Sequence, residues 1–452
     1  MKNIFKLISL LCVAVIMISL VPVYAEGEDG DETTPLEPEI ERCEAACVFN
    51  VENDKMLYEY NLTKSVFPAS TVKIMTAIVV FDYYGDNLDT QITVTQDMLN
   101  ESAGNKIGFY PGEIVTVRQM LYCMLVNSAN DAAIILANSV ADSTAGFVRM
   151  MNEKASWIGA YDTNYTNPTG LHDDLMVTTV QDTATIAKYA YSIPEFIEIT
   201  STSKYVMDAT NVSDYRSIYN RNCLISKFYN VDYYYPGAIG MNAGATTQGG
   251  YAICAAARDD ASKLTYIAIV LGAEAEGTTY YNYINAIRLL DWAFDSYEYA
   301  KVLSSSQVIC ELPVNLSSTL DYITLVPQTD ITAYLPKTID LSKDIRYSYN
   351  TYADSLDAPI EAGDVAGTIT VLYGDEILGS CPLITTSSIA KSEFLSALAG
   401  IKEFTQSRLF IGTVVAAVII GIIYIFVVAR KREKKLRKLG SGRTSRPSGY
   451  LG

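Results

Sequence analysis

Apolar and polar positions along the 452 residues change their rhythm several times, and each change predicts an element. Leu7 to Leu20 is an apolar run behind Lys2 and Lys6 and ahead of the small-residue ending "VYA", so residues 1–25 read as an export signal. Residues 26–41, acidic and proline-bearing, read as a flexible acidic linker. "AACVFN" and "KMLYEYN" flank the turn "VEND" and predict a hairpin over Ala45 to Asn61. Apolar residues recur at helical spacing over Ser70–Tyr84, Val117–Leu125 and Asp131–Val140. "TSKYVM", "GGYAICAAARDD" and "KLTYIAIVLGA" predict strands, and "YYNYINAIRLLDWAFDSY" a helix that closes an α+β domain, 42–299. Short strands with turn residues follow from Val308 to Thr386, which predicts a small β-sandwich domain, 300–387. In the juxtamembrane segment 388–408, Ser388 to Phe404 predicts an amphipathic helix at a membrane surface. Leu409–Ala429, 21 residues without a charge, is long enough to cross a bilayer.

Charge adds an orientation. The chain carries −17 overall, yet the tail 430–452 holds nine basic residues and one acidic. Basic residues beside a span stay in the cytoplasm. The expectation is therefore a single-pass cell-membrane protein with its body on the extracellular side. An acidic exported body points away from nucleic acid as a partner. Of eight cysteines, Cys12 falls in the signal. The other seven sit mostly in apolar runs and read as buried thiols, with Cys43–Cys47 and Cys310–Cys381 left open as pairs. The single histidine, His172, excludes a zinc site built on several histidines and any serine triad that does not use it.

Candidate chemistry begins in "FPASTVKIMTA", where Ser70 precedes Lys73 by three residues at the start of an apolar helix. A serine hydroxyl needs a base within hydrogen-bond reach. At i and i+3 the two share a helix face. A lysine in dry surroundings loses its proton more readily, and its amine then accepts the serine proton. Free N–H groups at a helix start can also stabilise an oxyanion. The spacing alone is weak: Ser201–Lys204 and Ser388–Lys391 share it, and a helix cap with a snorkelling lysine explains it too. The second stretch is "LVNSANDAAIILA", with Ser128 and Asn130 in a polar break between two apolar helices. There a hydroxyl and an amide either enter one cleft or merely cap the next helix.

Together these stretches, with "YPGEIVTVRQMLYCMLVNSANDAA", "TNPTGLHDD" and "LDAPIEAGDVAGTITVLYGDEILGSCPL", resemble the D-alanyl-D-alanine carboxypeptidases, the low-molecular-weight penicillin-binding proteins. Their signature is serine-x-x-lysine, serine-x-asparagine, then lysine-threonine-glycine on a strand. The resemblance implies a penicillin-binding, β-lactamase-like transpeptidase domain of antiparallel sheet and helices. A β-rich second domain and a C-terminal anchor would follow. It implies Ser70 as the acylated nucleophile, Lys73 as its base, Ser128 as a proton relay to the leaving amine, and Asn130 as a holder of a substrate amide. The implied partners are peptidoglycan stem peptides ending in D-alanyl-D-alanine, and β-lactam antibiotics, and the resemblance implies no metal and no organic cofactor.

The third motif departs from the pattern. In "GMNAGAT", Asn242 stands where the lysine belongs and Ala243 replaces the threonine, while Gly244 and Thr246 match. The resemblance puts this strand against the substrate, with the N–H of Ala245 and that of Ser70 as an oxyanion hole. The losses should injure carboxylate recognition more than acyl chemistry, since charge-assisted hydrogen bonds contribute about 1.5–3 kcal/mol each. Thr169 also stands where many family members have a histidine after asparagine-proline, and His172 reads as a surface loop residue. Two readings follow: a serine carboxypeptidase of reduced activity, or an impaired relative that binds wall peptides or organises the wall machinery. A β-lactamase would need a deacylating base, and no glutamate motif for one is evident.

Overall fold

The computed structural model describes residues 35–141 and 143–440. The export signal, residues 26–34 of the linker and residues 441–452 of the tail lie outside them. The chain divides into two units.

The first unit is built on one antiparallel sheet. Its strands are β1 (Ala45–Asn50), β2 (Met56–Tyr60), β7 (Ala238–Thr246), β8 (Gly250–Arg258) and β9 (Thr265–Ala273), in the order β2-β1-β9-β8-β7. Short ribbons precede β7 in the chain: β3 (Gln91–Thr93) pairs with β4 (Ile114–Thr116), and β5 (Lys204–Met207) with β6 (Arg216–Tyr219). The inner strands are apolar at nearly every position because both faces are covered. Cys47, Cys254, Ile267 and Ile269 face one core, while Val48, Ile253, Ala255 and Ala268 face the other. The second core is closed by one helix, Tyr281–Ser296, through Ala286, Leu289, Leu290 and Ala293. The first core holds α1 (Val72–Tyr84), α2 (Val117–Asn127) and α3 (Asn130–Val140). Every residue of α1 from Val72 to Phe81 is buried, so it is a core helix enclosed on all sides, with Lys73 and Thr76 as its buried polar residues, rather than an amphipathic surface helix.

The acidic linker differs from expectation where it is described. Leu36 to Glu41 is docked on the helix Tyr281–Ser296, not loose. Trp292 Nε1 donates to the Leu36 carbonyl (2.7 Å), Asn285 Nδ2 to that of Glu41 (2.7 Å), and Arg288 pairs with the Glu41 carboxylate (3.0 Å). Polar side chains on the outer helix face satisfy the backbone of a segment whose composition alone suggests solvent.

The second unit is β-rich. Six strands lie in the order Ile345–Thr351, Val365–Tyr373, Glu376–Thr385, Tyr322–Pro327, Cys310–Asn315 and Leu356–Asp357. Leu312 and Val314, Ile323 and Leu325, and Ile369 and Val371 alternate into its core. The strip Tyr334–Ile339 belongs with the first unit although it lies inside the span 300–387. Tyr334 donates or accepts a hydroxyl bond with Tyr266 (2.9 Å) and stacks on Tyr297, contacts that no local pattern announces. After the strands come a helix over Glu393–Gln406, with no buried residue, and a long one over Arg408–Gly440 that is long and apolar enough to cross a membrane. All seven described cysteines are free thiols, so neither candidate pair forms.

Candidate active site

Ser70 sits in a single 3-10 turn, Ala69–Thr71, that feeds α1. Ala69 adopts φ 48°, a left-handed conformation that costs a residue with a Cβ about 1–2 kcal/mol. The turn lifts Ser70 to the floor of a cleft of about 610 Å³. Lys73, one turn into α1, is fully buried beneath it. Its Nζ lies 3.5 Å from Ser70 Oγ and donates to the Thr169 carbonyl at 2.5 Å. No carboxylate pairs with Lys73 among the described residues. Burial, with a smaller push from the Arg221 charge, lowers its pKa to about 7. The ammonium is thus poised to release its proton, which a snorkelling lysine in water is not.

The loop that receives Lys73 is "NPTGL". The Asn167 side-chain oxygen accepts from the N–H groups of Thr169 (3.1 Å) and Gly170 (2.9 Å), and Thr76 Oγ1 donates to the Pro168 carbonyl (2.8 Å). The carbonyls of Pro168 and Thr169 therefore face α1. Gly170 (φ +79°) permits the approach: a Cβ there would lie 2.0 Å from the Ala69 oxygen.

The second stretch forms the opposite wall. Ser128 closes α2 in the left-handed region (φ 57°, ψ 36°), and α3 starts at Asn130 with Ala129 as its cap. Neither Ser128 nor Asn130 caps α3 through its side chain. Both line the cleft, and Asn130 Nδ2 donates to the Ala103 carbonyl (2.7 Å). Asn105 holds the turn together. Its Nδ2 donates to the carbonyls of Asn127 (2.7 Å) and Ser128 (3.1 Å), and its own carbonyl accepts the Asn130 N–H (2.7 Å).

Strand β7 forms the third wall. Ala243, Gly244, Ala245 and Thr246 line the cleft. A Cβ at Gly244 would fall 2.5 Å from Ser70 Oγ, so the strand passes the hydroxyl at a distance only glycine allows. Asn242 differs from expectation. It is 2% exposed, opposite Cys254, and absent from the cleft lining; its Oδ1 has no partner. The pleat turns position 242 toward the packed face, from which an asparagine is too short to reach the opening.

His172 also differs from expectation: it is half-buried rather than a surface residue. Its ring stands edge-on to Phe67 (4.7 Å between centroids), Nε2 lies 3.1 Å from Asp174 Oδ1, and Nδ1 is buried without a partner. It lines a neighbouring cavity with Thr246 and Glu274. Three site residues went unnoticed in the sequence, Asn105, Asn167 and Arg221, and Thr169 was noted only as a departure from the family pattern, not as the acceptor of the Lys73 bond. Asn167 and Thr169 lay within a stretch already singled out. Asn105 and Arg221 carry no local signal at all.

Comparison with known proteins bears on this geometry. The family model for D-alanyl-D-alanine carboxypeptidase matches residues 31–275, and that for the penicillin-binding protein 5 C-terminal domain matches 297–391. The D-alanyl-D-alanine carboxypeptidase DacF of Bacillus subtilis is 26% identical over 398 residues, 87% of this chain and 97% of its own. DacB2 of Mycobacterium tuberculosis is 33% identical over 231 residues, 50% of this chain and 74% of its own. Among solved structures, the carboxypeptidase DacD of Francisella tularensis superposes with a TM-score of 0.57 at 23% identity, covering 79% of this chain and 96% of its own. Penicillin-binding protein 5 of Haemophilus influenzae gives 0.56 at 23% identity, over 79% and 100%. At that identity the two structures speak for the fold, and the match of the first family model to more than half of the residues speaks for descent. The chain belongs to the D-alanyl-D-alanine carboxypeptidase family of serine peptidases.

Proposed function

We propose that this chain is a membrane-anchored serine carboxypeptidase that removes the terminal D-alanine of peptidoglycan stem peptides through an acyl-enzyme at Ser70. The observation that carries the assignment of roles is the fully buried Lys73, without a carboxylate partner, 3.5 Å from Ser70 Oγ at the cleft floor. Neutral Lys73 takes the Ser70 proton as Oγ attacks the scissile carbonyl carbon. The N–H groups of Ser70 and Ala245 hold the oxyanion, and Asn130 holds a substrate amide. The C–N bond then breaks, and the proton passes from Lys73 through Ser128 to the departing amine of D-alanine. Water hydrolyses the ester and restores Ser70. A β-lactam follows the same route as far as the ester.

A second reading has its own support. Ala243 offers the cleft no hydroxyl and Asn242 offers it no charge, which favours a relative that holds wall peptides and turns them over slowly or not at all. A fluorescent penicillin distinguishes the two. Covalent labelling of the parent protein, lost in Ser70→Ala, is the expected outcome. No labelling at high drug concentration would favour the binding relative, and labelling that survives in Ser70→Ala would place the nucleophile elsewhere.

A further inference from the structure

Arg221 follows β6, and its exposed side chain joins the lining of the cleft beside Asn105 and Tyr229. Its backbone N–H donates to the Val126 carbonyl in α2 (2.9 Å), and its carbonyl accepts from the Tyr283 hydroxyl (3.1 Å). Its Nη2 donates to Asn105 Oδ1 (2.9 Å), and the guanidinium lies 5.4 Å from the Tyr229 ring centre. Two bonds thus fix the backbone of Arg221, and Asn105 and Tyr229 hold its side chain, the first being the asparagine that clamps the Asn127–Ser128 turn. It nevertheless has donors to spare. Arg221 forms no ion pair among the described residues, and the cleft lining contains no aspartate or glutamate. Arg221 is the one formally charged residue in that lining. Its field reaches the floor, since it contributes to lowering the Lys73 pKa.

Arg221 is solvent-exposed, yet a cation held by Asn105 without a counter-ion, lining a cleft in a chain of net charge −17, favours an anion. A guanidinium matches the two oxygens of a carboxylate better than a point charge does. We propose that Arg221 is the specificity-determining cation of this cleft and takes a carboxylate of the peptide substrate from the helical wall, where Asn242 and Ala243 leave the strand wall uncharged. This rests on reading the cleft as a peptide site. The carboxylate is either the terminal one or a side-chain one within the stem.

The test uses the full chain carrying Ser70→Ala, so that peptides bind without reacting. Calorimetry would compare three peptides: an N-acyl D-alanyl-D-alanine peptide with an acidic side chain, its C-terminal amide, and the same free acid with the side-chain carboxylate removed. Arg221→Gln should weaken the first about tenfold or more. The peptide that Arg221→Gln leaves within twofold identifies which carboxylate is held. Arg221→Lys should recover part of the loss. In the Ser70→Ala chain with Arg221 intact, salt should weaken the free acid more than the peptide lacking the recognised carboxylate, a readout that needs no Arg221 variant to fold. A further readout is pH: removing the Arg221 charge should move the rise of penicillin acylation to higher pH, which a purely structural residue would not do. Equal losses on all three peptides, or no binding of the free acid at millimolar concentration, would overturn the proposal. Penicillin labelling of Ser70 in the parent is scored separately, so a failure of the peptidase reading and a failure of Arg221 as the anion site are told apart.

Discussion

Lys73 concentrates the chemistry of the site in one proton. Its pKa of about 7 in the folded chain implies that acylation by penicillin rises roughly tenfold per pH unit below that value and levels off above it. Stopped-flow or gel-based labelling rates across pH 5.5–9 check this, and a flat profile would remove Lys73 from the role of base. The same shift has a stability consequence. The folded pKa is depressed, while the unfolded lysine keeps its usual value near 10.5, so the unfolded state binds more protons between the two. Stability should therefore rise with pH from about 7 to about 10.5, and the penalty is present in full below 7. Lys73→Met, which has no such proton, should exceed the parent in Tm most at neutral and acid pH, with the difference shrinking toward pH 10. Ala243 is the other residue with a direct test, because it lines the cleft whereas Asn242 does not. Ala243→Thr restores a hydroxyl donor beside Gly244 and should raise kcat/KM on free-carboxylate peptides about fivefold, with little gain on the amidated peptide. An equal gain on both would show that carboxylate recognition is not what the alanine removed.

At the level of elements, the walls of the cleft depend on polar clamps between segments distant in the chain. Asp131, at the start of α3, accepts from the N–H groups of Ile107 (3.1 Å) and Gly108 (2.8 Å), and so positions the loop that carries Asn105. Glu113, just before β4, is fully buried and grips Arg216 of β6 in a two-pronged pair (2.6 and 3.1 Å). Burial pushes the Glu113 carboxyl up, but bonds from Arg216, the Tyr110 N–H and Thr210 outweigh it and hold the group below its ordinary range. Arg216 begins the short strand that leads to Arg221, so this pair anchors one side of the cleft. Glu113→Gln should leave a largely buried guanidinium without its counter-charge and destabilise the chain by about 3–5 kcal/mol. Urea unfolding of the parent and the variant would measure this. A loss below about 1 kcal/mol would mean that the pair is solvated in practice.

At the scale of the whole molecule, the organisation is two folded units followed by a surface-exposed helix and one long apolar helix. Phe394, Leu398, Ile401 and Phe404 recur along Glu393–Gln406, all exposed, as an apolar face suited to a membrane surface. With Arg430, Lys431, Arg432, Lys434 and Lys435 just past the apolar run, we propose that the folded units lie outside the cell and the basic end inside. Protease added to intact, wall-stripped cells should digest the body and spare an epitope placed at the C-terminus. Protection of the body would reverse the orientation.

What the sequence determined by itself is what nearest neighbours along the chain dictate. The period of apolar positions marks α1, α2, α3 and the doubly buried strands, because backbone sterics and pleat leave few alternatives. Ser70 and Lys73 are legible as a pair because three residues in a helix bring two side chains onto one face. The three ordered motifs, and the break in the third, are legible for the same reason: each is local. Tertiary structure decided what depends on burial and on contacts across long stretches of chain. It decided that Lys73 is dry, since the loop holding Thr169 comes from 96 residues away. It decided that Asn242 faces the packed side of β7, that His172 is half-buried, and that Leu36 to Glu41 docks on a helix. It brought Arg221 to Asn105, 116 residues apart, where their spacing in the chain says nothing of a shared cleft. Local sterics choose elements, whereas the pairing of distant polar groups is chosen by which of them the closed core leaves without water.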